Sequence, residues 1–542
     1  MGRAKIDLFL NITERHIKHI GKIAMSEVSP ADRRPPKLGP AYLGVVVLIE
    51  ACLLVLLRVP SSYRFVNFAF LDNGADLAIQ YLTQHGDRLY QDNGYYYGLL
   101  PLALGKLLYG ALGRRPLAFE VAAIVATLVV AANLARYCSL ARSDWKGESL
   151  LILTLPFVLT VGYPSITHML EAVIITFALC EHLAGKRPAA LALLTACLFV
   201  KPAMAYVYGL LLTILIIRRE LAVPGKPIIQ SLRPLFPSAC VAIVLSLGLG
   251  SAYGTRPLFH SLLPFSGARI YHANHYGFIF GKGQDFWWPR GASAGYYFGT
   301  VVGFWLAASV ALILGSAAAV AVAMRGWTKS IDLTGRVEAA SACAVLHLVF
   351  VLVFFGNAWS WSYYFYLLPM GLIALIPFAP GRFPILASCL LLPLAFGGLR
   401  SSILPGVHEW QNYRRGPETA GLFAAPDERD EWIQVQKFLA GRTSSFLALS
   451  DGAGSFLPGV EPPTLWFLVR GGTKPREITR KVQELANAMF IVETRIDGPW
   501  PSDLFQEFLE PLSSCERVLD TRFYRVHQRV ESTPSSPQSS AH

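Results

Sequence analysis

Long apolar runs separated by short polar ones dominate the first 400 residues. They lie at 41–57, 117–137, 149–164, 166–184, 189–217, 237–253, 299–324, 337–356, 361–379 and 384–400. A bilayer crossing takes ~20 apolar residues, with a range of ~17–25, so the pattern predicts a bundle of membrane helices. Two stretches are ambiguous. Tyr95–Leu112 reads either as a span or as a helix along the membrane surface. The run 189–217 is interrupted by Lys201-Pro202, and a proline inside a helix removes a hydrogen bond and clashes with the preceding turn.

Lys/Arg asymmetry decides the two together. With 95–112 on the surface and 189–217 split into two short helices, the loops assigned to the cytoplasm are 136–148, 185–188, 218–236, 325–336 and 380–383. Those 52 residues carry 13 Lys/Arg, whereas the external loops 58–116 and 254–298 carry 10 in 104 residues. The competing arrangement puts basic loops outside and buries a lysine near the middle of one long helix, which is expensive. The expected fold is therefore a polytopic α-helical membrane protein with about eleven transmembrane helices. Its cytoplasmic segment is 1–40, its membrane domain 41–400, and its C-terminus is outside.

After Arg400 the pattern changes. Residues 401–425, with Pro405, Gly406, Gly416 and Pro417, read as a linker. An amphipathic stretch Glu431–Leu439, an apolar run Phe446–Ser450, a helix-like Ile478–Ala488 and a strand-like Met489–Val492 follow. A helix-like Leu504–Leu512 and a final strand Arg517–Val526 complete the series. Strands alternating with helices predict a small extracytoplasmic α/β domain over 401–530. The Ser/Pro-rich tail, 531–542, reads as disordered.

Composition sharpens this picture. The chain is 53% hydrophobic and only 15% charged, and its mean hydropathy is +0.42. A disordered chain, a coiled coil and a conventional soluble enzyme are excluded. The formal charge of +12 resolves into +15 over residues 1–400 and −3 over 401–542. The basic part is thus also the apolar part, which points to a membrane and away from nucleic acid. Residues 1–40 carry eight Lys/Arg without a signal-peptide core or cleavage site. The eight cysteines have no regular spacing, so neither a zinc site nor a disulfide framework is indicated.

The first external loop carries the most distinctive chemistry. It reads Phe70-Leu71-Asp72-Asn73-Gly74-Ala75-Asp76, then Gly86-Asp87-Arg88-Leu89-Tyr90, then Tyr95-Tyr96-Tyr97-Gly98-Leu99-Leu100-Pro101-Leu102. Asp72 and Asp76 are four residues apart and share a face if helical. A carboxylate there would take a proton from an acceptor hydroxyl or help hold a divalent cation, magnesium or manganese. The plainer reading has them as solvated aspartates capping a helix that begins near Leu77. Loop 254–298 contains Arg269, Tyr271, His272, His275, Lys282, Asp285, Trp287, Trp288 and Arg290. Guanidinium groups suit phosphate and aromatic faces suit sugar rings, although an interfacial aromatic belt has the same composition. His168 and Glu171 sit one turn apart at the outer end of a span, where they line a cavity or simply pair. Glu50 falls inside the first span, and an intramembrane carboxylate is a functional candidate by default.

The chain resembles a known class at several of these points. Gly74-Ala75-Asp76 and Gly86-Asp87-Arg88-Leu89-Tyr90 follow a single span, and a Tyr-rich helix ending in Leu108-Tyr109-Gly110 comes next. Phe199-Val200-Lys201-Pro202 sits at a helix junction, and Gly356-Asn357-Ala358-Trp359-Ser360-Trp361-Ser362-Tyr363-Tyr364 opens a late span. This order is similar to the GT-C class of polyprenyl-phosphate-sugar-dependent membrane glycosyltransferases, near the dolichyl-phosphate-mannose-type and family 87-type branches. Related sequences often carry Pro-Pro-Leu where this one has Leu100-Pro101-Leu102.

The resemblance implies that Asp76, with Asp72 as runner-up, supplies the catalytic carboxylate. It implies that Lys201, Arg269 and Arg290 hold the donor phosphate, although Lys201 equally reads as a lysine snorkelling to the interface. Tyr97, His168, Glu171, His272, His275 and Tyr363 would line the substrate cavity. The expected partners are the bilayer, a polyprenyl-phosphate-linked sugar and a lipid, glycan or protein acceptor, in a bacterial inner membrane. Direct displacement would invert the anomeric centre. Two other functions fit less well. A flippase for a lipid-linked saccharide predicts paired broken helices and internal repeats, and the chain has one Lys-Pro break. A non-catalytic scaffold leaves the acidic first loop without a use.

Overall fold

The computed structural model describes residues 39–69, 74–86, 89, 95, 97–113, 115–143, 145–159, 166–222, 227–263, 303–324, 331–354, 366–378, 406–450, 452–461, 475–495 and 512–530. The apolar runs become helices: α1 (Pro40–Ser62), α2 (Phe65–Ala69), α3 (Ala75–Gln84), α4 (Leu100–Leu112), α5 (Pro116–Leu140), α6 (Trp145–Leu159) and α7 (Ile166–Leu183). They continue as α8 (Arg187–Leu198), α9 (Pro202–Leu221), α10 (Phe236–Tyr253), α11 (Thr255–Leu262), α12 (Gly303–Met324), α13 (Ile331–Phe354) and α14 (Leu367–Leu375). Proline at the first turn starts α1, α4, α5, α8, α9 and α10, where its fixed φ suits the helix and its missing N–H is not needed.

Among the described residues four stretches are long and apolar enough to cross a membrane: Pro40–Pro60, Pro116–Leu140, Ile166–Leu183 and Ile229–Tyr253. Shorter apolar helices include Leu100–Leu112, Arg187–Leu198, Ser309–Met324 and Leu367–Phe378. The run 384–400 lies outside the described residues. Only 6% of Ile229–Tyr253 is buried within the protein, and Ile243, Val244 and Leu247 point outward from it. Apolar faces of that extent are not left to water; they are built for lipid.

The helices share one core, to which Val47 of α1, Leu134 of α5, Leu151 of α6, Leu179 of α7, Leu194 of α8 and Leu212 of α9 all contribute. One end of this bundle is braced by polar side chains. His182, fully buried, contacts the Tyr208 hydroxyl at 2.8 Å through Nδ1 and the Glu338 carboxylate at 3.1 Å through Nε2. Arg187 donates to the same carboxylate oxygen from Nε at 2.9 Å and Nη2 at 2.6 Å. Four helices, α7, α8, α9 and α13, are tied there.

The C-terminal residues pack on the opposite end. Strands β3 (Leu447–Ala448), β4 (Phe490–Thr494), β5 (Cys515–Asp520) and β6 (Tyr524–Arg529) form a sheet of order β3-β4-β6-β5. Strands β3 and β4 run parallel, and the other described pairs of this sheet run antiparallel. Successive side chains of β4 face opposite ways. Phe490 and Val492 meet Trp432 and Val435 of helix α15 (Pro426–Ala440), while Ile491 meets Leu485 of α17 (Pro475–Asn487). Burial on both faces explains the unbroken apolar run in the sequence.

Two expectations are corrected here. Residues 406–425 are no linker. They contain a helix at 406–412 and an antiparallel pair, β1 (Arg414–Arg415) with β2 (Phe423–Ala424), and they lie on the end of α1. Trp410 Nε1 donates to the Leu56 carbonyl at 2.6 Å, and the Phe423 N–H donates to the Tyr63 carbonyl at 3.0 Å. The expected last strand, Arg517–Val526, is a hairpin of two strands that reverses at 521–523. The reversal contains neither glycine nor proline, so nothing in the sequence marks the turn.

Within this sheet, burial alone would push the Glu493 carboxyl up, but the His527 ring at 3.2 Å and the Arg525 guanidinium at 3.1 Å hold it below the ordinary carboxylate value. A depressed folded-state value contributes stability that is present above the unfolded value of about 4.3 and lost as pH falls through the folded one. The melting temperature of the full-length protein should therefore drop on acidification below about pH 4.3. Glu493→Gln should remove part of that drop while lowering stability near neutrality, and an unchanged acid limb in the variant would contradict this assignment.

Candidate functional site

The site begins at the helix break. Pro202 forces Lys201 out of the helical region, and Lys201 is extended at φ −152° and ψ 106°. Helix α8 therefore ends at Leu198 and α9 begins at Pro202, as the two-helix reading of 189–217 expected. The break turns the carbonyls of Phe199 and Val200 outward from the ladder, and an unpaired buried carbonyl would be expensive. The segment before α4 satisfies both: the Gly98 N–H donates to Val200 at 2.8 Å and the Leu100 N–H to Phe199 at 2.9 Å. A Cβ at position 98 would fall on the Phe199 carbonyl and 2.7 Å from the Val200 nitrogen, so this close approach requires glycine.

This docking delivers Tyr97 to the junction. Four of the expected site residues meet there. Lys201 Nζ lies 3.4 Å from Glu171 Oε2 and 3.2 Å from His168 Nδ1. His168 Nε2 lies 3.4 Å from the Tyr97 hydroxyl, with the two rings edge to face at 5.5 Å. An ammonium only donates, so His168 Nδ1 accepts and its proton resides on Nε2, facing the Tyr97 oxygen. Glu171 and Lys201 are 1% and 5% exposed. His168 and Glu171 themselves are 4.0 Å apart. They do not merely pair with each other; both attend Lys201. Nor does Lys201 snorkel to water, because its ammonium is turned inward onto a carboxylate.

Asp76 sits on the neighbouring element. It is half-buried in the first turn of α3, whose N-cap is Gly74. The helix start is thus not capped by an aspartate side chain, although a carboxylate in that turn suits the positive end of the helix dipole. One face of α3 packs on the Lys201 junction: Ala78 and Ile79 share a cluster with Leu99, Leu102 and Phe199. Gln80 Nε2 donates to the Leu102 carbonyl at 2.5 Å. Asp72, Arg269, Arg290, His272, His275 and Tyr363 lie outside the described residues. Among those that are described, no group of three His, Cys, Asp or Glu side chains is placed to hold a metal ion.

Sequence reading missed three contributors. Gly98 and the Phe199 carbonyl join two distant segments, and their pairing leaves no mark in either one alone. Tyr366 is buried just after the late Trp/Tyr-rich stretch. Its proximity to the expected Tyr363 was the available signal. Gly98→Ala should cost about 1–3 kcal/mol by overpacking and release Tyr97 from His168. Thermal unfolding and the Tyr97 environment would check this, and a variant as stable as the parent would contradict the docking.

No protein-family profile matches the chain, and no curated protein matches it. Among solved structures it is similar to ArnT from Cupriavidus metallidurans, crystallised with undecaprenyl phosphate bound. The two are 14% identical over 90% of this chain and 98% of that one, with a TM-score of 0.49. A likeness at that level establishes no family.

Proposed function

We propose that this chain is a GT-C-type membrane glycosyltransferase that moves a sugar from a polyprenyl-phosphate donor to a lipid, glycan or protein acceptor. One observation carries the reading: a lysine at a helix break, buried beside Glu171 and His168, with the acidic first loop docked onto the same break. An ionisable pair retained inside a lipid-facing bundle is a functional-site candidate by default. An ammonium carries three donors, so Lys201 can exchange or add a phosphate oxygen among its present partners. His168, fixed by Tyr97, keeps the ammonium aimed.

In this reading the donor's prenyl chain lies in the bilayer and its phosphate reaches Lys201, with Arg269 and Arg290 as further phosphate ligands. Asp76 accepts the proton of the acceptor hydroxyl as its oxygen attacks the anomeric carbon. The sugar–phosphate C–O bond breaks, its electron pair leaves on the phosphate oxygen, and polyprenyl phosphate departs with inversion at the sugar. Positioning and proton removal are the contributions of the chain's own residues. Asp72 is the alternative base, and a magnesium or manganese ion would ease the leaving of the phosphate.

The Lys/Arg distribution supports a cytoplasmic 1–40 and an outer face that carries Asp76, Lys201 and the 401–530 domain. About eleven crossings, with loops 58–116 and 254–298 outside, belong to the same proposal. The membrane is that of a bacterial cell.

The test is chemical. Purified protein in lipid nanodiscs is given synthetic polyprenyl-phosphate hexoses and pentoses with cell-envelope lipids and glycans as acceptors. Release of free polyprenyl phosphate, dependent on acceptor, is the expected result. Movement of the intact donor across a vesicle membrane without release would instead identify a flippase.

A further inference from the structure

The expected catalytic loop is held at both ends by the C-terminal residues, a connection that nothing in either stretch of sequence announces. On the near side, the carboxylate of Glu428, fully buried on α15, accepts from Arg64 Nε at 2.8 Å and from the Val66 N–H at 3.2 Å. Arg64 Nη2 adds a second contact at 2.8 Å. Phe65 packs its ring on Trp432 at 5.3 Å. Helix α2 is thereby fixed to α15 immediately before the loop.

On the far side the contact is backbone to backbone. Gly74, the N-cap of the Asp76 helix, lies face to face with Gly452, which precedes the short helix α16 (Ala453–Phe456). A Cβ on Gly74 would meet the Gly452 Cα at 2.7 Å, and a Cβ on Gly452 would meet the Gly74 Cα at 2.7 Å. Either would also fall on the Phe68 carbonyl oxygen. These are backbone atoms, which cannot swing aside as a long side chain can. Neither glycine has a positive φ, so the requirement is for space alone. The Gly452 N–H also points at the Ala69 carbonyl at 3.4 Å.

We propose that the C-terminal α/β region is a built-in positioning element of the active site, with Gly452 and Glu428 setting the place of the helix that carries Asp76. The proposal rests on the glycosyl-transfer reading for what Asp76 does. The coupling itself is a separate physical fact to test. A general base must be within hydrogen-bond reach of its proton, and a displacement near 1 Å is worth about 100-fold in rate. A methyl at Gly452 forces a backbone shift of that order next to Gly74. Lys201 and its partners lie on other elements and are not among the nearest atoms such a methyl would meet. Turnover should fall while phosphate binding does not.

The experiment uses the full chain in nanodiscs with three readouts: hydrogen exchange over 75–84, binding of geranylgeranyl phosphate, and turnover of whichever donor the parent uses in the assay above. Gly452→Ala is expected to raise exchange in the first turn of α3 at least tenfold. Probe affinity should stay within about twofold and kcat should fall at least tenfold with the donor KM little changed. Glu428→Gln, which keeps the shape and an acceptor for Val66, is the second variant if Gly452→Ala does not fold. It should show the same split more weakly, and Glu428→Ala more strongly. Unchanged exchange overturns the coupling. Raised exchange with parental kcat overturns the positioning role, as does equal loss of binding and turnover. If the parent turns over no donor, the glycosyl-transfer reading fails, and exchange together with probe binding still decides whether the C-terminal region holds α3.

Discussion

Asp76→Asn is expected to abolish acceptor-dependent release of polyprenyl phosphate while leaving the protein folded and able to bind the donor phosphate. Asparagine preserves the volume and the helix start, since the N-cap of α3 is Gly74 and no side chain caps it. What it removes is the ability to accept a proton. General-base groups contribute about 10²–10⁴ in rate, so the expected loss is about 100-fold or more. The measurement is the rate of polyprenyl phosphate release by mass spectrometry, compared with Asp72→Asn in the same preparation. A large loss in Asp76→Asn alone identifies the base. A large loss only in Asp72→Asn moves the role four residues upstream, and full turnover by both variants would falsify the site.

The second large effect concerns Lys201. Lys201→Met keeps the length and apolar body of the side chain but leaves the Glu171 carboxylate, 1% exposed, without its ammonium at 3.4 Å. Removing one member of a buried pair costs about 3–5 kcal/mol, because the remaining charge is left uncompensated. Lys201→Met should therefore melt well below the parent and lose geranylgeranyl phosphate binding. Adding Glu171→Gln removes the stranded charge, so the double variant should recover most of the stability. It should not recover the binding. A lysine that served only structure would give a double variant restored in both, which is the outcome that would remove Lys201 from the phosphate site.

How much of this was readable beforehand depends on the range of the interaction. The Lys201-Pro202 break is local: proline lacks an N–H and restricts the residue before it, so the two short helices follow from two adjacent letters. The i, i+3 relation of His168 and Glu171 is equally local. That both turn to Lys201, thirty or more residues away, is not, and neither is the Tyr97 contact that fixes the imidazole. The linker reading of 401–425 failed for a related reason. Gly406, Gly416 and Pro417 read as breakers, but Gly406 opens a helix whose Trp410 bonds the Leu56 carbonyl of α1, and whether such a segment is ordered depends on what surface awaits it.

The buried Arg64–Glu428 pair shows the limit most clearly. In the sequence Arg64 lies just past the first apolar run, and Glu428 falls between the expected linker and the expected amphipathic stretch. Their separation of 364 residues gives neither a reason to be singled out. Once together, the Glu428 carboxylate is fully buried with Arg64 half-buried over it, and a buried charge demands its partner.

By itself, the amino-acid order determined where apolar helices form, where one of them breaks, and that lipid surrounds much of the bundle, because these follow from hydrophobic run length and proline chemistry. Only the tertiary structure decided that the break receives the first loop, that Lys201 is met by Glu171 and His168, and that the C-terminal residues clamp the start of the Asp76 helix. Those contacts are set by backbone groups left unpaired at a helix end and by glycines that permit two chains to touch, and such complementarity exists only between segments already brought together.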